Sequence, residues 1–500
     1  MANRLSLILI CIISLSEFYY AQEIPKDTVQ KFSYSTIQEF WSQMNDIFND
    51  PNFSNAEWGV VIQSLETGEY FYKRNEDKLF IPASNLKLFT TSAGLILLGS
   101  DYRFKTNVYM NGIVDGSVLK GDLVIQGRGD PSISSRFYDG NMLKVYNDWA
   151  DSLVNDGIDE ITGNIIGDDN AFDEVGLGAG WAWDYESNWF AAPSSAISFN
   201  DNCVDLVVTV NKKTHQPEIS VYPDTKYVII INKVSTVPKD SATSIDAYRE
   251  LGTNVITVFG TIRDNSDSVK TYVTVNNPTQ FAMVALKDVL RKKGIVIDGY
   301  PIDINDMTTN LDYSKMKILF TQDSPPLKEI VKVINKSSQN LYAEQLLKTI
   351  GLETKGYGSV ENGVSAEDKV FREMGINPES LNIVDGSGLS RLDLVTPKQI
   401  VSLLSYMYKN KNFIPFFNSL PIAGVDGTLG DRMQNTKAQG KIRAKPGFLE
   451  GVRSLSGYAF TGDNEPIAFS IIVNNFNVPV KLAENIQDLV CLRLANFKRK

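Results

Sequence analysis

A sheet divided between the two ends of the chain is the strongest constraint in this sequence. "WGVVIQSLETGEYFYKR" (58–74) reads as two strands joined at Glu66-Thr67-Gly68-Glu69, a hairpin. "KIRAKPG", "RSLSGYAFT" and "PIAFSIIVNN", between Lys441 and Asn475, read as further strands. Neither group is a complete sheet alone. A single sheet that joins them, flanked by helices from "TIQEFWSQMNDIF" near the start and "KLAENIQDLVCLRLANF" at the end, satisfies both. The fold class expected is α/β, with everything else in the chain carried between the two halves of one sheet.

The intervening sequence has two textures. Pro82 begins a helix that runs to about Gly99, with Leu86, Phe89, Ala93 and Leu97 recurring at three- and four-residue spacing. From about 101 to 310, short β-rich runs such as "VLKGDLVIQG", "CVDLVVTV", "KYVIIINKV" and "VKTYVTV" alternate with Gly, Asn and Asp turns, and one helix is expected from about Gln280 to Lys293. From 311 the chain is helical again. "LKEIVKVINKSSQNLYAEQLLKTIG" gives two helices around Ser337-Ser338. "TPKQIVSLLSYMYKN" gives another, capped by Thr396 with Pro397 in its first turn. The organisation expected is a signal peptide (1–21), the first part of one domain (22–100), an inserted β-rich region (101–310) and the rest of the first domain (311–500).

The N-terminus reads as a secretory signal: Arg4, then the apolar "LSLILICIISL", then a cleavage position near Ala21. The apolar run is too short to span a bilayer, and no later segment reads as transmembrane. The protein is expected to be exported, periplasmic or extracellular, without a transmembrane anchor. A net charge of −10 argues against nucleic acid as a partner. Removing the signal leaves Cys203 and Cys491, which have no metal-ligand spacing and read as structural thiols.

Only one histidine is present, His215 in the polar stretch "KKTHQPE". A Ser-His-Asp triad would have to use it, and a zinc site built on several histidines is excluded. A hydrolase made from this chain needs another base. "IPASNLKLFT" (81–90) offers one, because Ser84 and Lys87 are three apart at a helix start and share a face. Serine is a weak nucleophile without an adjacent base, and a lysine acts as one only when neutral. The spacing alone is weak, since Ser314 and Lys317 match it too. Two further patterns add to it: Ser338-Gln339-Asn340 at a junction of two helices and Lys445-Pro446-Gly447 in a C-terminal strand. Decoys exist for each, in Ser198-Phe199-Asn200 and Lys292-Lys293-Gly294.

Taken together and in this order, the three patterns resemble those of the penicillin-binding D-alanyl-D-alanine carboxypeptidases and endopeptidases of the DacB type, peptidase family S13. "GDLVIQGRGDPS", "WFAAPSSAISFNDN", "VDGSGLSR", "LPIAGVDGTLGDRM" and "VRSLSGY" fit as well. The resemblance implies a β-lactamase/transpeptidase-like catalytic domain with a large, mostly β insertion. It implies a serine DD-peptidase that removes the terminal D-alanine of peptidoglycan stem peptides, with cleavage of D-Ala cross-links as a second activity, acylated by β-lactams and needing no metal or organic cofactor. Ser84 would attack and Lys87 would take its proton. Ser338 would relay a proton to the leaving amine, Asn340 would bond the acyl side of the substrate, and Lys445 would keep Lys87 neutral and orient Ser338. The backbone N–H groups of Ser84 and Phe448 would form the oxyanion hole, Pro446, Gly447 and Phe448 would contact the substrate, and "DGSGLSR" (385–391) would be a supporting loop.

The third motif departs from the family's. Pro446 and Phe448 stand where the family has hydroxyl side chains that hold the substrate's terminal carboxylate. Slow cleavage of substrates with a free carboxylate is expected unless Arg443 or Arg453 compensates. The departure keeps open a non-catalytic wall-binding protein on the same fold, and the Ser/Lys pair keeps open an esterase or β-lactamase.

Overall fold

Both ends of the chain meet in one antiparallel sheet, in the order Ile442–Leu449, Val452–Phe460, Pro466–Asn474, Glu57–Ser64, Tyr70–Arg74. The computed structural model describes residues 37–499, so the expected signal segment lies outside the described residues. The join is the pairing of the first strand with the last, Trp58 opposite Val473 and Ile62 opposite Phe469. Alternate side chains of a strand point to opposite faces, and both faces here are apolar. Val60 and Ile62 belong to a core with Phe40 and Met44 of the helix Ile37–Phe48 and with Val490 and Leu494 of the helix Val480–Asn496. Val61, Ala468 and Ile472 belong to a second core, with the helices Lys87–Leu97, Leu327–Lys336, Asn340–Lys355 and Pro397–Tyr408. Thr396 caps the last of these: its hydroxyl accepts from Gln399 N–H while the Gln399 side chain accepts from Thr396 N–H.

The helix Lys87–Leu97 is buried along almost its whole length, so the residues at its N-terminus are held from every side. That burial explains the run of small and apolar residues after Lys87. An exposed helix would not tolerate it, and an amphipathic one would not supply it.

The β-rich middle leaves and re-enters this body at one place. Phe104 N–H donates to Ser324 Oγ at 2.9 Å, Leu327 N–H to Tyr102 O at 2.8 Å and Lys328 N–H to Ser100 O at 3.0 Å. Within the middle region a seven-stranded sheet and two three-stranded sheets share one core. Two features differ from the sequence reading. The strand Lys317–Asp323 pairs with Lys105–Asp115, so the inserted sheet reaches past residue 310. A helix, Lys144–Asn155, stands in the region read as mostly β; Val145, Tyr146, Trp149, Ala150 and Leu153 bury one face of it. Cys203 and Cys491 are both buried and unpaired.

Candidate active site

Ser84 lies in a 3-10 turn, Ala83–Leu86, that leads directly into the buried helix. Ala83 has φ +46°, a left-handed conformation that costs a non-glycine residue about 1–2 kcal/mol. The turn is held in place by its neighbours. Asn85 Nδ2 donates to Lys445 O at 2.6 Å, and Ser454 Oγ donates to Pro82 O at 2.6 Å. Gly388 abuts the same turn, where a Cβ would overlap Ala83 O.

Four of the five side chains named from sequence form an unbroken path. Lys87 Nζ donates to Ser84 Oγ at 3.1 Å, Ser338 Oγ to Ser84 Oγ at 3.1 Å, and Lys445 Nζ to Ser338 Oγ at 2.9 Å. Ser338 reaches in because φ +56° breaks the chain between two helices and turns its side chain to the cleft. The fifth residue, Asn340, accepts from Lys87 Nζ at 2.6 Å and donates to Phe190 O at 2.6 Å. Each end of its amide has one partner within the protein, and the residue also lines the cleft, where its second N–H is available to a substrate. The decoys lie elsewhere: Ser314 bonds Asp312, while Ser198 and Asn200 serve local packing around Asn202 and Asp205.

Lys87 is fully buried, and burial lowers its ammonium to about 8 against opposing pulls from Asp385, Glu344 and Asp393. At pH 7 about one lysine in ten is then neutral, roughly 300-fold more than for an ordinary lysine. Lys445 is also fully buried and is driven well below its usual range, first by burial and then by the charge of Lys87. The lowering of Lys87 comes from desolvation, one of the two effects, with a nearby cation, that push a lysine this way.

The loop 385–391 underlies Lys87. Ser387 O accepts from Lys87 Nζ at 2.7 Å. Asp385 gathers the N–H groups of Ser387, Gly388 and Ser390 at 3.0, 2.6 and 2.7 Å and the indole N–H of Trp181 at 2.9 Å. Burial raises Glu344 to about 8 and pushes Asp393 well up, so this acidic group is not three full charges at neutral pH.

The Lys445 strand is the edge of the sheet. Ala444 N–H points away from the neighbouring strand, to Pro421 O at 3.0 Å. By the two-residue period, positions 446 and 448 present their nitrogens to the same free edge. Pro446 consequently forfeits no ladder bond, and Phe448 N–H faces the cleft. Gly447 is required by close approach: a Cβ there would overlap Ser454 Oγ and stand 2.9 Å from Ser84 N.

These groups open into a cleft of about 620 Å³. Its other walls include Tyr185, Trp189 and Phe190 from the inserted region, together with Thr428, Arg432, Phe448 and Arg453. The inserted aromatics were not identified as site residues from sequence, although Trp189 and Phe190 open the stretch "WFAAPSSAISFNDN" that fits the family. Of the two arginines considered, Arg443 is turned toward Asn418 and the Phe417 ring, and only Arg453 lines the cleft.

The family model for the D-Ala-D-Ala carboxypeptidase 3 (S13) family matches residues 41–496. The chain is 31% identical over 476 residues to a D-alanyl-D-alanine carboxypeptidase of Actinomadura sp. (strain R39), covering 93% of this chain and 86% of that protein. It is 26% identical over 435 residues to the D-alanyl-D-alanine carboxypeptidase DacB of Haemophilus influenzae, covering 85% and 87%. The crystal structure of penicillin binding protein 4 (dacB) from Haemophilus influenzae superposes with a TM-score of 0.76 at 25% identity, over 89% of this chain and 97% of that one.

Proposed function

The chain belongs to the D-Ala-D-Ala carboxypeptidase 3 (S13) family and is a serine DD-peptidase, and on that premise we propose which of its groups perform each step. The observation that carries the proposal is the hydrogen-bonded path Lys87–Ser84–Ser338–Lys445 at the floor of one cleft.

Neutral Lys87 takes the proton from Ser84 Oγ as the oxygen attacks the carbonyl carbon of the penultimate D-alanine. Asn340 and Ser387 O aim the Lys87 amine at Ser84. The N–H groups of Ser84 and Phe448 stabilise the developing oxyanion, a contribution typically worth about 10²–10³ in rate per donor. When the tetrahedral intermediate collapses, the C–N bond breaks and the leaving amine takes a proton by way of Ser338, which Lys445 holds in position. Water then attacks the Ser84 ester and frees the shortened stem peptide. A β-lactam follows the first half of this path, opening its ring on Ser84.

The substrate proposed is a peptidoglycan stem peptide ending in D-Ala-D-Ala, with D-Ala cross-links as a second class, and the protein works outside the cytoplasm. Among the described residues no helix is long and apolar enough to cross a membrane. The intact proton path disfavours a non-catalytic wall-binding role. The test is release of D-alanine from a synthetic stem peptide. The purified protein is expected to release it and Ser84→Ala to release none; an unaltered protein that releases none overturns the proposal.

A further inference from the structure

Pro446 and Phe448 leave the cleft without the side-chain hydroxyls that would bind a substrate's terminal carboxylate, and the cations around it are unequally committed. Lys87 and Lys445 are bonded to the two serines. Arg432 is paired with Asp488 through Nε at 2.9 Å and Nη2 at 2.6 Å, and Nη2 also bonds Gln487 Oε1 at 3.2 Å and Glu484 O at 3.3 Å.

Arg453 differs. It is the cross-strand partner of Phe448, next to the edge N–H that faces the cleft. Its side chain is only 7% exposed. Nη1 donates to Leu449 O at 3.1 Å and Val452 O at 2.8 Å, which fixes the guanidinium plane. Nε has no hydrogen-bond partner among the described residues, and the carboxylate of Glu484 stays 3.7 Å away. The Phe448 ring, 60% exposed, lies over the guanidinium with Cζ 3.6 Å from its centroid. Burial lowers Arg453 to about 10, as befits a cation whose charge is incompletely met.

We infer that Arg453 binds the terminal carboxylate of the substrate, replacing the hydroxyls missing at 446 and 448; this rests on the peptidase reading above. A buried, pre-oriented guanidinium with an open donor is matched by a planar anion such as a carboxylate, which it engages through a charge-assisted bond. The Phe448 ring covers one face of the guanidinium plane; Nη1 is committed to two carbonyls and Nε is buried, so Nη2 is the donor left for a ligand. Glu484 is the competing anion, close enough to weaken binding and too far to satisfy Nε. The enzyme then retains preference for a free terminal D-alanine through a group on the second strand of the sheet.

The experiment compares two acyl-D-Ala-D-Ala peptides, one with a free C-terminal carboxylate and one with a C-terminal carboxamide, by the ratio of their kcat/KM values. Arg453→Gln should lower the acid-to-amide ratio by about 10- to 100-fold, the range of a hydrogen bond to a charged group. Arg453→Lys, which keeps the charge and loses the fork, should fall between. Glu484→Gln should raise the ratio, an effect that a purely structural Arg453–Glu484 contact would not produce. An unchanged ratio in folded Arg453→Gln, or a lowered one in Glu484→Gln, overturns the assignment. An unaltered enzyme that cleaves neither peptide overturns the peptidase reading itself, and this one with it.

Discussion

The hydroxyl oxygens of Ser84 and Ser338 lie 3.1 Å apart although 254 positions separate them in the chain. The inserted region between them leaves and returns through the pairing of residues 100–104 with 324–328, and it supplies Tyr185, Trp189 and Phe190 to the cleft.

Acylation should depend on the neutral form of Lys87. Its ammonium sits at about 8, so the rate should climb about tenfold per pH unit below 8 and level off above it. Lys87→Ala should nearly abolish acylation, while Lys317→Ala should leave it unchanged. A flat profile between pH 6 and 8, read by stopped-flow hydrolysis of a chromogenic β-lactam, would remove Lys87 from the base role.

Asn340→Asp puts a carboxylate where an amide oxygen now stands 2.6 Å from Lys87 Nζ. A neighbouring negative charge holds the ammonium, so the acid limb should move to higher pH. Loss of the Nδ2 bond to Phe190 O adds a pH-independent decrease. Asn340→Ala should lower the rate without raising the limb. Equal limbs in the two variants would show that Asn340 does not act on Lys87.

Gly447→Ala should leave the sheet folded and lower kcat by 10² or more. The added methyl overlaps Ser454 Oγ and crowds Ser84 N, one of the two donors proposed for the oxyanion. Thermal denaturation separates this from unfolding: a small change in Tm with a large loss of kcat is expected, and normal kcat would place the oxyanion elsewhere.

Glu367 is fully buried in the helix Val360–Glu373, and neither carboxyl oxygen has a hydrogen-bond partner among the described residues. Burial raises its carboxyl to about 8. The folded chain keeps this proton when the unfolded chain loses it, so stability is fullest below about pH 4.5 and declines as pH rises toward 8. The cost at pH 7 is roughly 3 kcal/mol. Glu367→Met should therefore raise Tm at pH 7–8 and matter little near pH 4. A lower Tm at pH 8 would mean that the carboxylate has a compensating interaction.

The parts legible in the sequence were those encoded locally. Ser84 and Lys87 are three apart at a helix start, Thr396 caps a helix with Pro397 in its first turn, and Gly68 marks the hairpin. Joining the two halves of the sheet followed from the incompleteness of each. What was hidden depends on long-range packing. Phe190 reaches Asn340 across 150 positions, and no spacing rule connects them. The burial that lowers Lys87 is a property of the finished core. The helix Lys144–Asn155 did carry a signal, in Val145, Trp149 and Leu153, and was absorbed into the surrounding β-rich texture. The strand Lys317–Asp323 was assigned to the wrong side of the boundary because its partner, Lys105–Asp115, lies two hundred residues earlier.

The most direct measurement of the central claim is the site of covalent attachment of penicillin. Intact-mass spectrometry after incubation, followed by peptide mapping, should find one penicilloyl group per chain, on the peptide containing Ser84. Ser84→Ala should carry none and Ser314→Ala should carry one. No adduct on the unaltered protein, or an adduct that persists in folded Ser84→Ala, would contradict the account.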